Sequence, residues 1–269
     1  MELEEVVCNI CESKKCTPYL LLDSYTYKKC SECGLVYQNP RPVFDELKKR
    51  YGDNYFEYEI RNQDNFFNLM KLGLSDIEFD LLYPHGGEGR NFLDIGCATG
   101  LLLNYMRHRG WNTKGVELCM ESAEYANGQF FLDVFNGTLT EAAFEDRSFD
   151  VVHFSHLIEH VPDPKGLLLE VKRILKPEGY VILTTPNVEG IQAKYTGKGW
   201  RSAIPDHVYL FSKKTMRLIL TQTGFKTIKQ VSWGGIPAGK RPKILKSPAD
   251  KLAKFFNVGD VMLFHCAHA

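Results

Sequence analysis

The chain has 269 residues, 44% of them hydrophobic and 25% charged, which is the profile of an ordinary globular protein with room for a small appendage. No run approaches the ~18 apolar residues of a membrane span, and the acidic start Met1-Glu-Leu-Glu-Glu5 lacks the basic and apolar regions of a signal peptide, so a cytoplasmic protein is expected. Net charge is zero, yet fourteen Lys/Arg stand against three acids between Gly190 and Ala269, an asymmetry that reads either as an anion-binding face or as solvated helix faces such as Ser212 to Arg217.

The first predicted unit is set by cysteines. Eight cysteines in a cytosolic chain argue for metal or thiols rather than disulfides. Cys8-x-x-Cys11 and Cys30-x-x-Cys33, eighteen residues apart, fit the zinc-ribbon spacing, and Gly34 suits the turn behind the second pair. Four thiolates on tetrahedral zinc leave no open position, so this metal is expected to be structural, clamping residues 1–40, which are too few to hold a core. Cys16 has no partner two residues away. Cys97, Cys119 and Cys266 read as small buried apolar residues. Asn39-Pro-Arg-Pro42 is a stiff linker, and residues 41–88 then form a helical, aromatic-rich stretch that includes Tyr51, Tyr55, Phe56, Tyr58, Phe66 and Phe67.

Next comes the most telling segment, Asn91-Phe-Leu-Asp-Ile-Gly-Cys-Ala-Thr-Gly100 followed by Leu101 to Met106: a short apolar strand, a small-residue turn and a helix. Such a turn lets a ligand approach the backbone at a helix N-terminus. The strand Thr113 to Glu117 ends in an acid placed to hold a ribose. A dinucleotide site asks for G-x-G-x-x-G. Here Asp94 precedes Gly96 by two residues, and an acid at that place suits a cationic cofactor, the sulfonium and ammonium of S-adenosylmethionine (SAM). Phe149 to Ser155 is a strand, His156-Leu-Ile-Glu-His160 follows it, and Asp163-Pro164 starts the helix Lys165 to Leu175. Lys176 to Gly179 breaks that helix before the strand Tyr180 to Thr185.

From Asn91 to about Phe225 the chain resembles the class I SAM-dependent methyltransferases, in the subgroup that includes the ubiquinone-biosynthesis O-methyltransferases. Ala98 stands where that family most often has glycine. The resemblance implies an α/β, Rossmann-like seven-stranded sheet with helices on both faces and the last strand antiparallel, over residues 89–269. It implies a cofactor set of Asp94, Gly96, Cys97, Ala98, Gly100, Glu117, Leu118, Thr138, Leu139, Ser155 and His156. Near Thr138 many relatives carry an acid for the adenine amino group; this chain has none at that place. The resemblance also implies that residues 41–88 act as a lid, with Tyr51 and Tyr55 over the substrate, and that an insertion at about 188–211 closes on the acceptor.

Methyl transfer from a sulfonium is an in-line displacement governed by alignment, and a hydroxyl acceptor also needs a base. In open α/β sheets ligands sit at the carboxyl ends of strands, which brings His156, Glu159 and His160 to the methyl group. His160 reads as a general base or as a structural histidine beneath the cofactor, and Glu159 with His160 also reads as a divalent-ion site. In Gly199 to His207, Trp200 and Arg201 offer an apolar wall and an anion clamp, and Asp206 with His207 a second candidate base; a histidine capping the next helix is the plainer reading. His153, His85 and His108 are read as structural. The leading expectation is a SAM-dependent methyltransferase for a small-molecule hydroxyl on a sugar, phenol, quinone or lipid-linked intermediate. The alternatives are a zinc-ribbon RNA methyltransferase that uses the basic C-terminal third, and a SAM-binding scaffold without catalysis. The acceptor's identity and the oligomeric state are not written in the sequence.

Overall fold

A computed structural model describes residues 1–235 and 250–269 of the chain. The cysteine-rich start folds into five short strands: β1 (Leu3–Glu4), β2 (Cys16–Leu21), β3 (Thr26–Cys30), β4 (Val36–Gln38) and β5 (Arg41–Pro42). Gly34 makes the turn between β3 and β4 at φ +86°, a conformation that favours glycine. Three helices follow, α1 (Phe44–Lys48), α2 (Asp53–Asp76) and α3 (Phe79–Leu82). Part of the aromatic run of α2 is core packing: Phe56 meets Tyr125 with ring centroids 5.8 Å apart, and Phe67 meets Tyr105 at 5.5 Å.

Strands and helices then alternate. They are β6 (Asn91–Ile95), α4 (Leu101–Arg107), β7 (Asn112–Glu117), α5 (Met120–Phe130), β8 (Val134–Asn136), β9 (Phe149–Ser155), α6 (Pro164–Ile174) and β10 (Leu175–Pro186). After them come α7 (Ile191–Thr196), β11 (Tyr209–Leu210), α8 (Lys213–Gln222), β12 (Phe225–Trp233) and β13 (Val261–His268). Asp163 caps α6 by accepting from Gly166 N at 2.9 Å, and Pro164 takes the first helical position as expected. Seven strands form one sheet in the order β12-β13-β10-β9-β6-β7-β8. The run from β10 to β8 is parallel, and β13 is antiparallel to both its neighbours. This is the expected Rossmann-like sheet with its last strand reversed. Consecutive residues such as Phe92, Leu93, Val151, Val152, Ile182 and Leu183 are all buried, because helices cover both faces.

A second sheet joins distant pieces of chain. Its order is β11-β4-β3-β2, with Tyr209 paired to Tyr37 and Leu210 to Val36. The short strand β11 lies within the expected acceptor insertion, so the cysteine-rich sheet continues into that insertion. Of the basic residues after Gly190, Lys240, Arg241, Lys243 and Lys246 fall outside the described residues, so the expectation of a basic face is only partly described. Among the described residues no helix is long and apolar enough to cross a membrane.

Candidate functional site

One cavity of about 2520 Å³ opens at the carboxyl ends of the parallel strands, between the sheet and α2. At one end the turn after β6 winds through three left-handed residues, Gly96 (φ +70°), Ala98 (φ +47°) and Gly100 (φ +78°). Ala98 carries this strain without being glycine. Its N–H donates to Glu117 Oε2 at 2.8 Å, while Cys119 N donates to Glu117 Oε1 at 2.9 Å. Burial raises the Glu117 carboxyl above the ordinary carboxylate range, and these N–H groups offset part of that rise. Gly96, Cys97, Ala98, Glu117, Leu118, Thr138, Leu139, Ser155 and His156, all in the expected cofactor set, line the cavity. Gly100 is not among the lining residues. A Cβ there would come within 2.7 Å of Leu132 and 2.9 Å of Ala126, so this glycine lets α4 and α5 pack closely. The nearby acid Glu141 accepts from both N and Oγ1 of Thr138 at 2.7 Å.

Asp94 also lines the cavity but is almost wholly buried, and His153 Nδ1–H donates to its Oδ1 at 2.7 Å. Burial raises Asp94, and His153 draws it back in part. The sequence reading took His153 as structural and missed that it is the partner of Asp94. The signal was available, since β6 and β9 pair in parallel with Asp94 opposite His153.

The other end is built around the segment after β9. His156 sits at φ +53°, half exposed, and its Nδ1–H donates to Glu159 Oε1 at 3.1 Å. Glu159 is fully buried, and Thr185 Oγ1–H donates to its Oε2 at 2.9 Å. Burial pushes the Glu159 carboxyl up, but the His156 hydrogen bond and the imidazoles around it outweigh that and hold it at about 2. His160 and His207 pack edge to face with centroids 4.6 Å apart. Burial and the neighbouring His207 bring His160 down to about 3, so it is a weak base at neutral pH; burial lowers His207 too.

The expected Asp206–His207 pair does not form. The Asp206 carboxylate pairs with Arg50, while His207 Nδ1–H donates to Ser202 O at 2.8 Å and His160 Nδ1–H to Asp206 O at 3.0 Å. The expected anion clamp is likewise engaged. Arg201 Nε donates to Asp260 Oδ2 at 2.8 Å and Trp200 Nε1 to Asp260 Oδ1 at 2.5 Å, so both residues line the cavity around one buried carboxylate.

From above, Tyr51, two residues before α2, and Tyr55 and Glu59, four apart on α2, line the cavity. The two tyrosines stack edge to face at 5.0 Å, and burial followed by the Glu117 charge pushes both phenols up. Glu59 was missed in the sequence reading. Burial first and the Glu117 charge second bring its carboxyl to about 7.

The cysteine-rich segment supports the His207 end of the cavity directly. Tyr27 Oη–H donates to His207 O at 2.7 Å, and Gln38 Nε2 donates to the same oxygen at 3.0 Å and to Pro205 O at 2.9 Å. Arg41 Nη1 reaches Pro162 O and Tyr209 Oη, both at 2.8 Å. The sulfurs of Cys8, Cys11, Cys30 and Cys33 converge within 4.8 Å of one another, and Cys16 stays outside that group. Cys8 Sγ lies 3.4 Å from Cys33 Sγ, and Cys11 Sγ 3.5 Å from Cys30 Sγ. Thiolates on one zinc at about 2.3 Å stand about 3.8 Å apart, so the four sulfurs suit a tetrahedral thiophilic ion. Burial pushes Cys33 up to about 11; Cys30, though burial also raises it, is brought to about 7 by N–H groups of Cys33 and Glu32. Cys97, Cys119 and Cys266 are buried in the core as expected.

A family model described as "Methyltransferase domain" matches residues 74–230. Two curated relatives named ubiquinone biosynthesis O-methyltransferase, from Idiomarina loihiensis and Paracidovorax citrulli, are each 31% identical over 54% of this chain. The chain spans 58% and 60% of their lengths. A chain of the Haloferax volcanii complex between the Trm112 methyltransferase activator and a methyltransferase shares the fold at TM-score 0.62 and 19% identity, with 84% of this chain and 97% of that one covered. A SAM-dependent methyltransferase from Thermotoga maritima shares it at TM-score 0.56 and 21% identity, with 80% and 98% covered.

Proposed function

The chain belongs to the methyltransferase-domain family, and from that premise we propose that it is a SAM-dependent methyltransferase acting on a hydroxyl of a small-molecule acceptor. The observation that carries this reading is the cavity itself: aromatic residues of α2 cover it on one side, and a histidine backed by a buried carboxylate stands on the other. The relatives named O-methyltransferase support an oxygen acceptor.

In this reading SAM supplies the methyl group and lies against Gly96, Cys97, Ala98, Leu118, Thr138, Leu139 and Ser155. Glu117 accepts from the ribose hydroxyls. Asp94 and Glu59 present carboxylates that favour a cationic ligand. Tyr51 and Tyr55 exclude water over the reacting centre. His156 takes the acceptor proton: its Nδ1–H is committed to the ionised Glu159, which leaves Nε2 as the basic atom, and Glu159 stabilises the charge that follows. This assigns the base to His156 rather than to His160 or His207, whose burial suppresses protonation. Cys8, Cys11, Cys30 and Cys33 hold a structural zinc. Residues 1–40 form the ribbon, 41–88 the lid and 89–269 the catalytic domain, with 188–211 closing on the acceptor beside Trp200 and Arg201.

The test is to incubate the protein with methyl-labelled SAM and an extract that contains both metabolites and RNA, then fractionate the label. Label in the small-molecule or lipid pool supports the proposal, and its loss in His156→Ala identifies the base. Label in RNA, lost as salt rises, overturns it.

A further inference from the structure

We propose, resting on the reading of the chain as a SAM-dependent methyltransferase, that Glu59 is the residue with which α2 reads the charge of the cofactor. Through it the lid grips cationic SAM and lets go of the neutral product, S-adenosylhomocysteine (SAH).

The packing of α2 points to this role. Over residues 53–72 of the helix the one buried residue is Glu59, and Gly73 and Leu74 follow only near its end. The aromatic residues Tyr55, Phe56, Phe66 and Phe67 are half-buried. A helix docked for stability alone seats an apolar side chain deepest, and charged residues are almost never fully buried unless paired. Glu59 has no such pair. The positions one turn away are Tyr55, Phe56, Asn62 and Gln63, none of them basic. Among the described residues no lysine or arginine bonds to its carboxylate; the groups that act on it are Glu117, Tyr55 and His156. A buried carboxylate without a cation is costly, so its seat is one that a cationic ligand completes.

The surroundings say where that cation belongs. Glu59 and Glu117 line the same cavity. Glu117 is fixed to the sheet, with its two oxygens accepting from Ala98 N and Cys119 N. Glu59 stands on α2, so repulsion between the two carboxylates bears on the helix. Glu59 is within electrostatic reach of Glu117, assigned to the ribose, and of His156, assigned to the acceptor. The sulfonium of SAM joins those two ends of the reaction. A cation between two carboxylates turns their repulsion into attraction.

Methyl transfer removes that cation. The S–CH3 bond breaks and its electron pair stays on sulfur, while the methyl group goes to the acceptor oxygen and the acceptor proton to His156. The thioether left behind is neutral, so Glu59 and Glu117 again face each other with no charge between them. The lid then loses its hold on the spent cofactor.

The test compares SAM and SAH by titration calorimetry on the full chain, with no acceptor present. The wild type should bind SAM more tightly than SAH by about fivefold. In Glu59→Gln, which keeps shape and volume, SAM affinity should fall to that of SAH while SAH binding holds; retained SAH binding also shows that the variant has folded. Glu59→Asp keeps the charge and should keep part of the preference. Trypsin cleavage at Arg61, exposed on α2, reports the lid itself. In the wild type SAM should protect this site better than SAH, and in Glu59→Gln the two should protect it alike. Equal loss of both ligands in Glu59→Gln, or equal protection by both in the wild type, overturns the proposal and leaves the cofactor assignment standing. A wild type that binds neither ligand overturns the cofactor assignment as well.

Discussion

The two ends of the cavity are assembled in different ways. The cofactor end comes mostly from consecutive pieces: β6, its turn, α4 and β7 carry Asp94 through Glu117, and His153 joins them with Thr138, Leu139 and Ser155 from further along the chain. The acceptor end is put together from segments far apart. His156 to His160 follow β9, His207 sits in the insertion before β11, and the residues that hold His207 in place, Tyr27 and Gln38, lie 180 and 169 positions earlier. A site made of one βα unit stands on local turn geometry, so its integrity follows that of the sheet. A site bridged by the ribbon depends on an element that, under the zinc proposed for Cys8, Cys11, Cys30 and Cys33, needs its own metal to fold. The two ends should therefore break independently.

The largest effect is expected at the cofactor end. Asp94→Ala removes a buried carboxylate and leaves His153 without its partner. SAM affinity should fall by about 100-fold, about 2.7 kcal/mol, when measured by titration calorimetry, while the thiolate-bound metal stays in place. Unchanged affinity would show that Asp94 is only a core residue and would shift the cofactor assignment to Glu117 and the backbone of the turn.

The next effect runs in the opposite direction. Cys30→Ser should release the ribbon metal and loosen β3 and β4, and with them the hydrogen bonds from Tyr27 and Gln38 to the His207 carbonyl. Acceptor methylation should drop by roughly tenfold to a hundredfold, the scale seen when the support of a functional ligand is lost. SAM affinity, read by the same titration, should stay within about twofold, under half a kcal/mol. Equal losses at both ends would mean that the ribbon holds the whole fold, and the independence argued above would fail.

The same contrast explains what the sequence made legible. The strand, glycine turn and terminal acid of the cofactor end are local signals, and so are the cysteine spacing and the caps of α6. The seven-stranded sheet follows from the alternation of strands and helices together with the family resemblance. Pairings that close across the chain carry no local mark. Asp206 precedes His207, and adjacency suggested a pair; the backbone instead turns Asp206 toward Arg50 and His207 toward the Ser202 carbonyl. Arg201 looked free for an anion, yet Asp260, nearly sixty residues later, already holds it. Glu59 was legible in principle, because it follows Tyr51 and Tyr55 at helical spacing. The aromatic residues around it mark this stretch as packing rather than as charge.

Glu59 also allows the most diagnostic prediction, because it lies on α2, in the proposed lid, yet lines the same cavity as Glu117. Its carboxyl is at about 7 in the folded protein against an ordinary 4.5, through burial and the Glu117 charge, with Tyr55 and His156 nearby. The folded state therefore holds a proton that the unfolded chain has lost between those values, so stability falls as pH rises from 4.5 to 7. The span corresponds to about 3 kcal/mol at most. A cationic cofactor reverses the preference, since it favours the ionised carboxylate. SAM affinity should thus tighten as pH rises through 7, by roughly fivefold if the added attraction is about 1 kcal/mol. In Glu59→Gln both trends should flatten, with the melting temperature of the free protein less sensitive to pH and SAM affinity constant from pH 6 to 8. A wild-type affinity that is already flat would mean that Glu59 stays protonated beneath the bound cofactor, and the lid would then contribute shape to the cofactor end but no charge.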